Sequence, residues 1–415
     1  MRGTLRTACS TLSQERADYL ARNGTQMFNR ILIPLTVLFA GLTTLVKAQL
    51  QPPTVIIDHL EAATKTYIGS PSLVVLWTGE YLASHDIFGP ESTKDTTVIF
   101  ASLDRGLTWV KRGTVKGAFW STLFTKASSL YMIGTDKEYG NIVIRRSEDD
   151  GVTWSTARDP FQGLLMEGGK YHMAPTPVLN YNGRFWKAVE NADGLGAWPA
   201  QFRPIMLSCP VDADLLNAKN WTASNMLSRD PKWQDGKFNG WLEGNAVFTS
   251  EGKMVNLLRV DNPSNEEFAA RIEIGADGKK AEFNSETGFL RFPGGCKKFT
   301  VRYDLGSKLY WTLSNYVPKS MQVGKPNQTR NTLALFSSAD LMTWKYHGNL
   351  LQNPDATTHA YQYVDWLIDG KDIIAISRTA DNDATGGAHD FHDANFITFH
   401  RFKNYKKMKG VDVWP

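Results

Sequence analysis

The stretch "SLDRGLTW" (residues 102–109) returns forty-five residues later as "SEDDGVTW" (147–154), keeping the skeleton Ser-x-Asp-x-Gly-x-Thr-Trp. A period between roughly 20 and 50 residues is the mark of an array built from one supersecondary unit. The residue types suit a tight turn: Ser and Asp side chains close on nearby backbone N–H groups, and Gly supplies a left-handed backbone. Trp then opens the next strand as its first large buried residue. Two degenerate copies follow, "SSADLMTW" (337–344), in which Met342 takes the place of Gly, and the stretched "SCPVDADLLNAKNW" (208–221). The turn is a recurring part whose reading is structural, a fastening between units.

Around these turns the chain alternates apolar and polar residues in paired runs: 72–84, 121–134, 175–190, 245–260, 298–314 and 361–378. Each pair reads as a hairpin. A third strand, the box and a fourth strand opened by Trp109, Trp154, Trp221 or Trp344 complete most units. Six four-stranded units of this spacing predict an all-β, six-bladed β-propeller, with seven as the alternative blade number. The last unit lacks a fourth strand, and "PTVIIDHL" (53–60) is spare. Letting it complete that blade closes the ring and removes both open edges.

At 415 residues, 42% hydrophobic and 12% aromatic, the chain can bury a large core. Residues 27–48 read as an export signal starting at Met27, with a basic start, an apolar run interrupted by Pro34, and a small-residue end at Val46 and Ala48. The apolar run is short of the roughly 20 residues of a spanning helix. Residues 1–26 read as a start-site extension and 49–415 as a single propeller domain, secreted, surface-associated or periplasmic, with no membrane span in the mature chain. The leader holds six of the 46 basic and two of the 42 acidic residues, so the mature chain carries forty of each and the net charge of +4 belongs to the leader. That balance argues against a nucleic-acid partner. Cys209 and Cys296 alone remain, either paired or as two separate thiols, which excludes a disulfide scaffold.

Strand polarity places the starts of first strands and the ends of second strands on one rim, opposite the boxes. That rim collects His85 and Asp86, His172 and Glu190, Glu243 with Arg259 and Asp261, Lys298 and Asn315, Tyr361, Tyr363 and Asp365, Arg378, and the loop "AHDFHDAN" (388–395) with His389 and His392. Carboxylates, cations and histidines converging on one mouth are the makings of an active site. Trp120, Trp241 and Trp366 are available to stack on sugar rings, although large aromatics at blade interfaces are usually core. His389 and His392 beside two Asp do not match a known metal-ligand spacing, so no metal and no cofactor is assigned.

The boxes at 102 and 147 on six propeller-like units resemble the Asp-box (BNR repeat) sialidase superfamily, across the mature chain from about residue 50. The resemblance implies a Glu that activates a Tyr nucleophile, which Glu243 and Tyr363 (or Tyr361) match. It also implies an Arg for the substrate carboxylate, matched by Arg259, and an acid/base Asp near Asp86. The first-blade Arg motif of sialidases is absent from "YIGSPS" (67–72), and "FRPIML" (202–207) has similar letters in another unit. Arg184, Arg330 and Arg378 are the further carboxylate-binding candidates, with Asp365 and His392 as additional substrate contacts. The histidines His85 and His172 make the mouth look like that of divergent bacterial polysaccharide-degrading propellers. The implied activity is a secreted, exo-acting glycoside hydrolase on acidic oligosaccharides or polysaccharides, working as a monomer. A lyase acting on uronate-containing glycans and a non-catalytic glycan-binding propeller are the alternatives.

Overall fold

The computed structural model describes residues 55–262, 267–317 and 326–413. The leader and extension read at 1–48 lie outside these residues. Six antiparallel sheets follow one another along the chain. Blade 1 is built on Ser72–Val75, Tyr81–Phe88, Thr96–Ser102 and Val110–Lys116, and blade 2 on Phe119–Lys126, Ser129–Thr135, Ile142–Ser147 and Leu164–Met166. Blade 3 uses Leu179–Tyr181, Arg184–Asn191, Arg203–Pro210 and Thr222–Ala223, and blade 4 Gly240–Phe248, Met254–Asp261, Phe268–Ile274 and Ala281–Glu282. Blade 5 has Thr300–Asp304, Leu309–Ser314, Thr332–Ser338 and Lys345–Gln352. Blade 6 has Ala360–Asp369, Asp372–Ala380 and Phe396–Phe402, and its fourth strand is the N-terminal Val55–His59, in register Val55 to Phe399 and His59 to Phe396. The chain is a six-bladed propeller closed by its own N-terminal strand.

The core is divided among the blade interfaces. One apolar cluster sits at each, for example Ile68, Leu73 and Tyr81 with Ile374, Ile376 and Phe399 between blades 1 and 6. Trp241 and Trp366 are fully buried in two of these clusters, so they are core residues and not sugar platforms. Cys209 and Cys296 are both buried and unpaired. Among the described residues no helix is long and apolar enough to cross a membrane.

The two perfect boxes form one and the same network. The Asp104 carboxylate accepts the Thr108 N–H at 2.8 Å and its hydroxyl at 2.6 Å, and Ser102 Oγ accepts the Gly106 N–H at 2.8 Å. Asp149, Thr153, Ser147 and Gly151 repeat all three distances. Each box leans on the preceding blade: a Cβ on Gly106 would lie 2.3 Å from the Phe399 ring, and Gly151 packs toward Leu82. In the third copy Ser338, Asp340 and Thr343 carry the bonds, and the left-handed residue is the buried Leu341 at φ 66°, so Leu341 and not Met342 occupies the Gly place in a turn one residue shorter. The fourth strand of blade 2 also differs from its expected start. It begins at Leu164 and not after Trp154, whose ring instead packs on the cluster between blades 1 and 2. The C-terminal Val411–Asp412 adds an outer strand to blade 5, pairing with Tyr346 and Lys345.

Register separates the boxes from the opposite rim. In blade 1 Tyr81 pairs with Ser102 at the box end, while Asp86 pairs with Thr97 at the other.

Candidate active site

A repeated backbone irregularity builds the mouth. The first strands of blades 2, 4 and 6 each lose register once, between Phe119 and Thr122, Leu242 and Asn245, and Gln362 and Asp365. Within each break one residue is left-handed: Trp120 at φ 49°, Glu243 at φ 59° and Tyr363 at φ 52°. A non-glycine residue there costs on the order of 1 kcal/mol or more, and bulges re-aim side chains out of the strand's alternation. All three residues line one cavity of about 390 Å³. The blades between them hold the bulges in place. Asp86 Oδ2 accepts the Trp120 N–H at 2.9 Å, Glu190 Oε1 accepts the Gly244 N–H at 3.1 Å, and Lys298 Nζ donates to the Val364 carbonyl at 2.8 Å.

Inside the cavity the Tyr363 hydroxyl donates to Glu243 Oε1 at 2.8 Å, and Arg259 Nη1 donates to Glu243 Oε2 at 3.0 Å. Burial would push the Glu243 carboxyl up, but the Arg259 guanidinium and His172 hold it below the usual range. Burial and then the Glu243 charge push the Tyr363 phenol up, against the pull of the arginines. The couple therefore rests as a neutral phenol on an ionised carboxylate.

Two more guanidiniums face the same phenol. Arg330 lies 5.6 Å and Arg378 4.9 Å from the centre of the Tyr363 ring, and each is less than a tenth exposed. Arg330 donates to the Asn327 carbonyl and to Gln362 Oε1, and Arg378 to the His392 carbonyl. Neither makes an ion pair among the described residues. Burial lowers both, Arg378 to about 10.

The rest of the wall carries proton-transfer groups and rings. Asp86 is fully buried, and burial raises its carboxyl to about 7 despite bonds from Trp120, Thr97 and Ser70. His172 Nδ1 lies 2.8 Å from Glu190 Oε2. His392 lines the cavity with Nδ1 2.8 Å from Asp393 Oδ1, and burial, then Arg378, lowers it to about 4. Phe88, Trp120, Tyr139, Trp198 and Phe391 supply aromatic wall.

Of the residues expected at this mouth, Glu243, Tyr363, Asp86, His172, Arg259, Arg378 and His392 meet around the cavity, and Arg330 joins them. His85, Asp365 and Arg184 do not. His85 is wholly buried on the other face of its strand, bonded to Asp58 Oδ2 and to the Asp86 carbonyl at 2.9 Å each, because neighbouring strand residues point to opposite faces. Asp365 lies past the bulge and is spent in the wall, accepting the Leu73 N–H at 2.8 Å and Arg302 Nη2 at 3.0 Å. Arg184 begins its strand at the box end and bonds Ser208. Tyr361 packs in the core between blades 5 and 6, while Lys298 and Asn315 brace the last bulge from behind. His389, Asp390 and Asp393 bring one ligand atom each within 4.8 Å of one another at the surface, with Asp393 already paired to His392. Glu190 was legible only as a rim residue and Trp120 only as an aromatic available to stack on a sugar, since nothing in the sequence signals a left-handed Trp or a carboxylate that ties a neighbouring blade.

Solved structures of the same architecture exist. The α-L-arabinanase of Penicillium chrysogenum, complexed with arabinobiose, superposes with a TM-score of 0.52 at 16% identity over 86% of this chain and 99% of that one. The GH93 α-L-arabinofuranosidase of Fusarium graminearum gives 0.54 at 12% identity over 86% and 98%. The Trypanosoma rangeli sialidase gives 0.50 at 15% identity over 83% of this chain and 55% of the sialidase. The fold is that of the sialidase and GH93 arabinanase propellers. At these identities the likeness is one of architecture, shared with glycoside hydrolases. No protein-family model and no curated protein sequence matches the chain.

Proposed function

We propose that this sialidase-like propeller is an exo-acting glycoside hydrolase that removes a terminal, carboxylate-bearing sugar from an acidic oligosaccharide or polysaccharide. One observation carries the reading: two buried guanidiniums, Arg330 and Arg378, bracket Tyr363 with no carboxylate of their own among the described residues. Burying a cation without a partner costs several kcal/mol, which a substrate carboxylate would offset. The neighbouring solved structures include enzymes named for arabinose, a neutral sugar, and the arginines favour an acidic substrate here.

The same charge explains the nucleophile. A carboxylate attacking next to a substrate carboxylate would meet like-charge repulsion, whereas Tyr363 approaches neutral and passes its proton to Glu243 at 2.8 Å as its oxygen bonds to the anomeric carbon. A Tyr nucleophile is a known departure from the two-carboxylate scheme. The cavity, about 390 Å³, suits one or two sugar rings and so an exo mode of action. The leader read at 27–48 supports export, and the closed ring supports a monomer acting alone.

The test is product analysis with 4-methylumbelliferyl glycosides of N-acetylneuraminic acid, glucuronic acid and arabinofuranose, beside polymeric uronate-containing glycans. Release of an acidic sugar, lost in Tyr363→Phe, supports the proposal. Release from the arabinofuranoside alone would sink it. An unsaturated product absorbing in the ultraviolet would move the site to a lyase, and binding without turnover to a glycan-binding propeller.

A further inference from the structure

Asp86 and His172 both line the cavity as groups able to carry a proton, and their surroundings differ in kind. The Asp86 carboxyl is enclosed. Oδ2 accepts the Trp120 N–H at 2.9 Å and Oδ1 the Thr97 hydroxyl at 3.2 Å, with the Ser70 backbone bonding it as well. Those bonds hold the blade 2 bulge against blade 1, the task that Glu190 and Lys298 perform for the other two bulges.

His172 is built differently. Its strand, Tyr171–His172, pairs His172 with Glu190, and Glu190 Oε2 lies 2.8 Å from His172 Nδ1. A buried carboxylate is acceptor only, so it fixes a proton on Nδ1 and leaves Nε2 as the working atom. Nε2 has no partner among the described residues, and His172 lines the cavity. Its ring is wedged by Trp120 at 4.5 Å and Phe202 at 4.8 Å between centroids. Glu190 spends its other oxygen on the Gly244 N–H at 3.1 Å, so one carboxylate orients His172 and braces the bulge that carries Glu243.

Resting on the glycosidase reading above, we propose that His172, oriented by Glu190, is the proton donor and acceptor at the glycosidic oxygen, and that Asp86 is a positioning residue for Trp120. In the first step the Tyr363 oxygen bonds to the anomeric carbon and its proton passes to Glu243. The glycosidic C–O bond breaks, its electron pair goes to the leaving oxygen, and that oxygen takes the Nε2 proton of the His172 imidazolium. In the second step water bonds to the anomeric carbon and gives a proton to Nε2. The Tyr363–carbon bond breaks, its pair returns to the phenol oxygen, and Glu243 returns the proton. One water is consumed and every side chain regains its starting state.

The experiment compares His172→Ala, Glu190→Gln and Asp86→Asn on two glycosides of the acidic sugar that the wild type releases: a 2,4-dinitrophenyl glycoside, which leaves without protonation, and an alkyl-linked glycoside, which does not. His172→Ala is expected to lose ~10³-fold in kcat/KM on the alkyl glycoside and less than ~10-fold on the dinitrophenyl one. Added azide should then yield the glycosyl azide, a product that a merely unfolded variant cannot form. Glu190→Gln should shift the same way by a smaller factor, and Asp86→Asn should fall equally on both substrates. The assignment is overturned if Asp86→Asn shows the leaving-group dependence and the azide adduct while His172→Ala falls equally on both. A wild type that turns over neither glycoside defeats the hydrolase reading itself, and this assignment with it.

Discussion

Tyr363 and Glu243 lie 120 residues apart and meet at 2.8 Å, and each is the left-handed residue of a bulge at the same place in the first strand of its blade, blade 6 for one and blade 4 for the other. The contact is therefore a product of the repeat: the same irregularity in alternate blades aims two side chains at one point. Trp120 is the third member, in blade 2.

Removing the phenol oxygen tests that contact directly. Tyr363→Phe is expected to lower kcat by at least ~10³-fold, since the nucleophile is gone, while thermal unfolding moves little because the ring packing stays. Glu243→Gln should lower kcat comparably and also destabilise, because it leaves the buried Arg259 without the carboxylate charge it pairs with at 3.0 Å. A Tyr363→Phe enzyme with near-wild-type kcat would remove Tyr363 from the reaction.

The arginines make a prediction about binding. Arg378→Ala and Arg330→Ala should raise KM for an acidic substrate by ~10- to 100-fold, the effect of losing a charge-assisted bond worth roughly 1.5–3 kcal/mol. The methyl ester of the same sugar should bind the wild type weakly and the variants no worse. Equal KM values for acid and ester in the wild type would show that the guanidiniums do not read a carboxylate.

Much of this was legible in the sequence, for reasons that can be named. The boxes and hairpins pointed to six blades with seven still open, to the two rims, and to Glu243, Asp86, His172, Arg259, Arg378 and one of Tyr361 and Tyr363 as mouth residues, because alternation and strand polarity are local properties. Part of what was not legible depends on the bulges. A one-residue slip exchanges the faces of a strand, so Asp365, two residues after Tyr363, went to the wall. His85 lies on an unbroken stretch of its strand and faces away from the mouth by plain alternation with Asp86. Arg330, which precedes the strand Thr332–Ser338, was one of three arginines named for a carboxylate, and only the structure separates it and Arg378, at the cavity, from Arg184 at the box end.

The boxes should affect stability alone. Asp149→Ala removes the acceptor of the Thr153 N–H and hydroxyl at the rim opposite the cavity. The expected result is a fall in Tm of roughly 1–2 °C, the shift that about 1 kcal/mol produces in a domain larger than about 250 residues, with kcat/KM unchanged at a temperature where both proteins are folded. A large loss of activity in the folded variant would mean that the two rims communicate.

The last prediction concerns Lys187, which lies wholly buried in the first layer behind the cavity. Its ammonium donates to the Ala174 and Thr176 carbonyls at 2.8 Å each and to two threonine hydroxyls. Burial lowers it from the usual lysine range to about 7, with Glu190 pulling the other way. Between about 7 and the unfolded lysine value near 10.4 the unfolded chain holds more protons at this site than the folded one, so stability contributed by the site rises with pH across that window. Asp86, raised to about 7, has the opposite sign in an earlier window: the folded chain holds the extra proton from about pH 4 upward, and stability falls as pH climbs to 7. The two together place a minimum in stability near neutrality. Urea unfolding of the wild type between pH 4 and 10 should show it. Lys187→Met should flatten the rise above pH 7 and leave the fall below it, and Asp86→Asn should do the reverse. Curves for the two variants that parallel the wild type throughout would mean that other groups set the pH dependence of the fold.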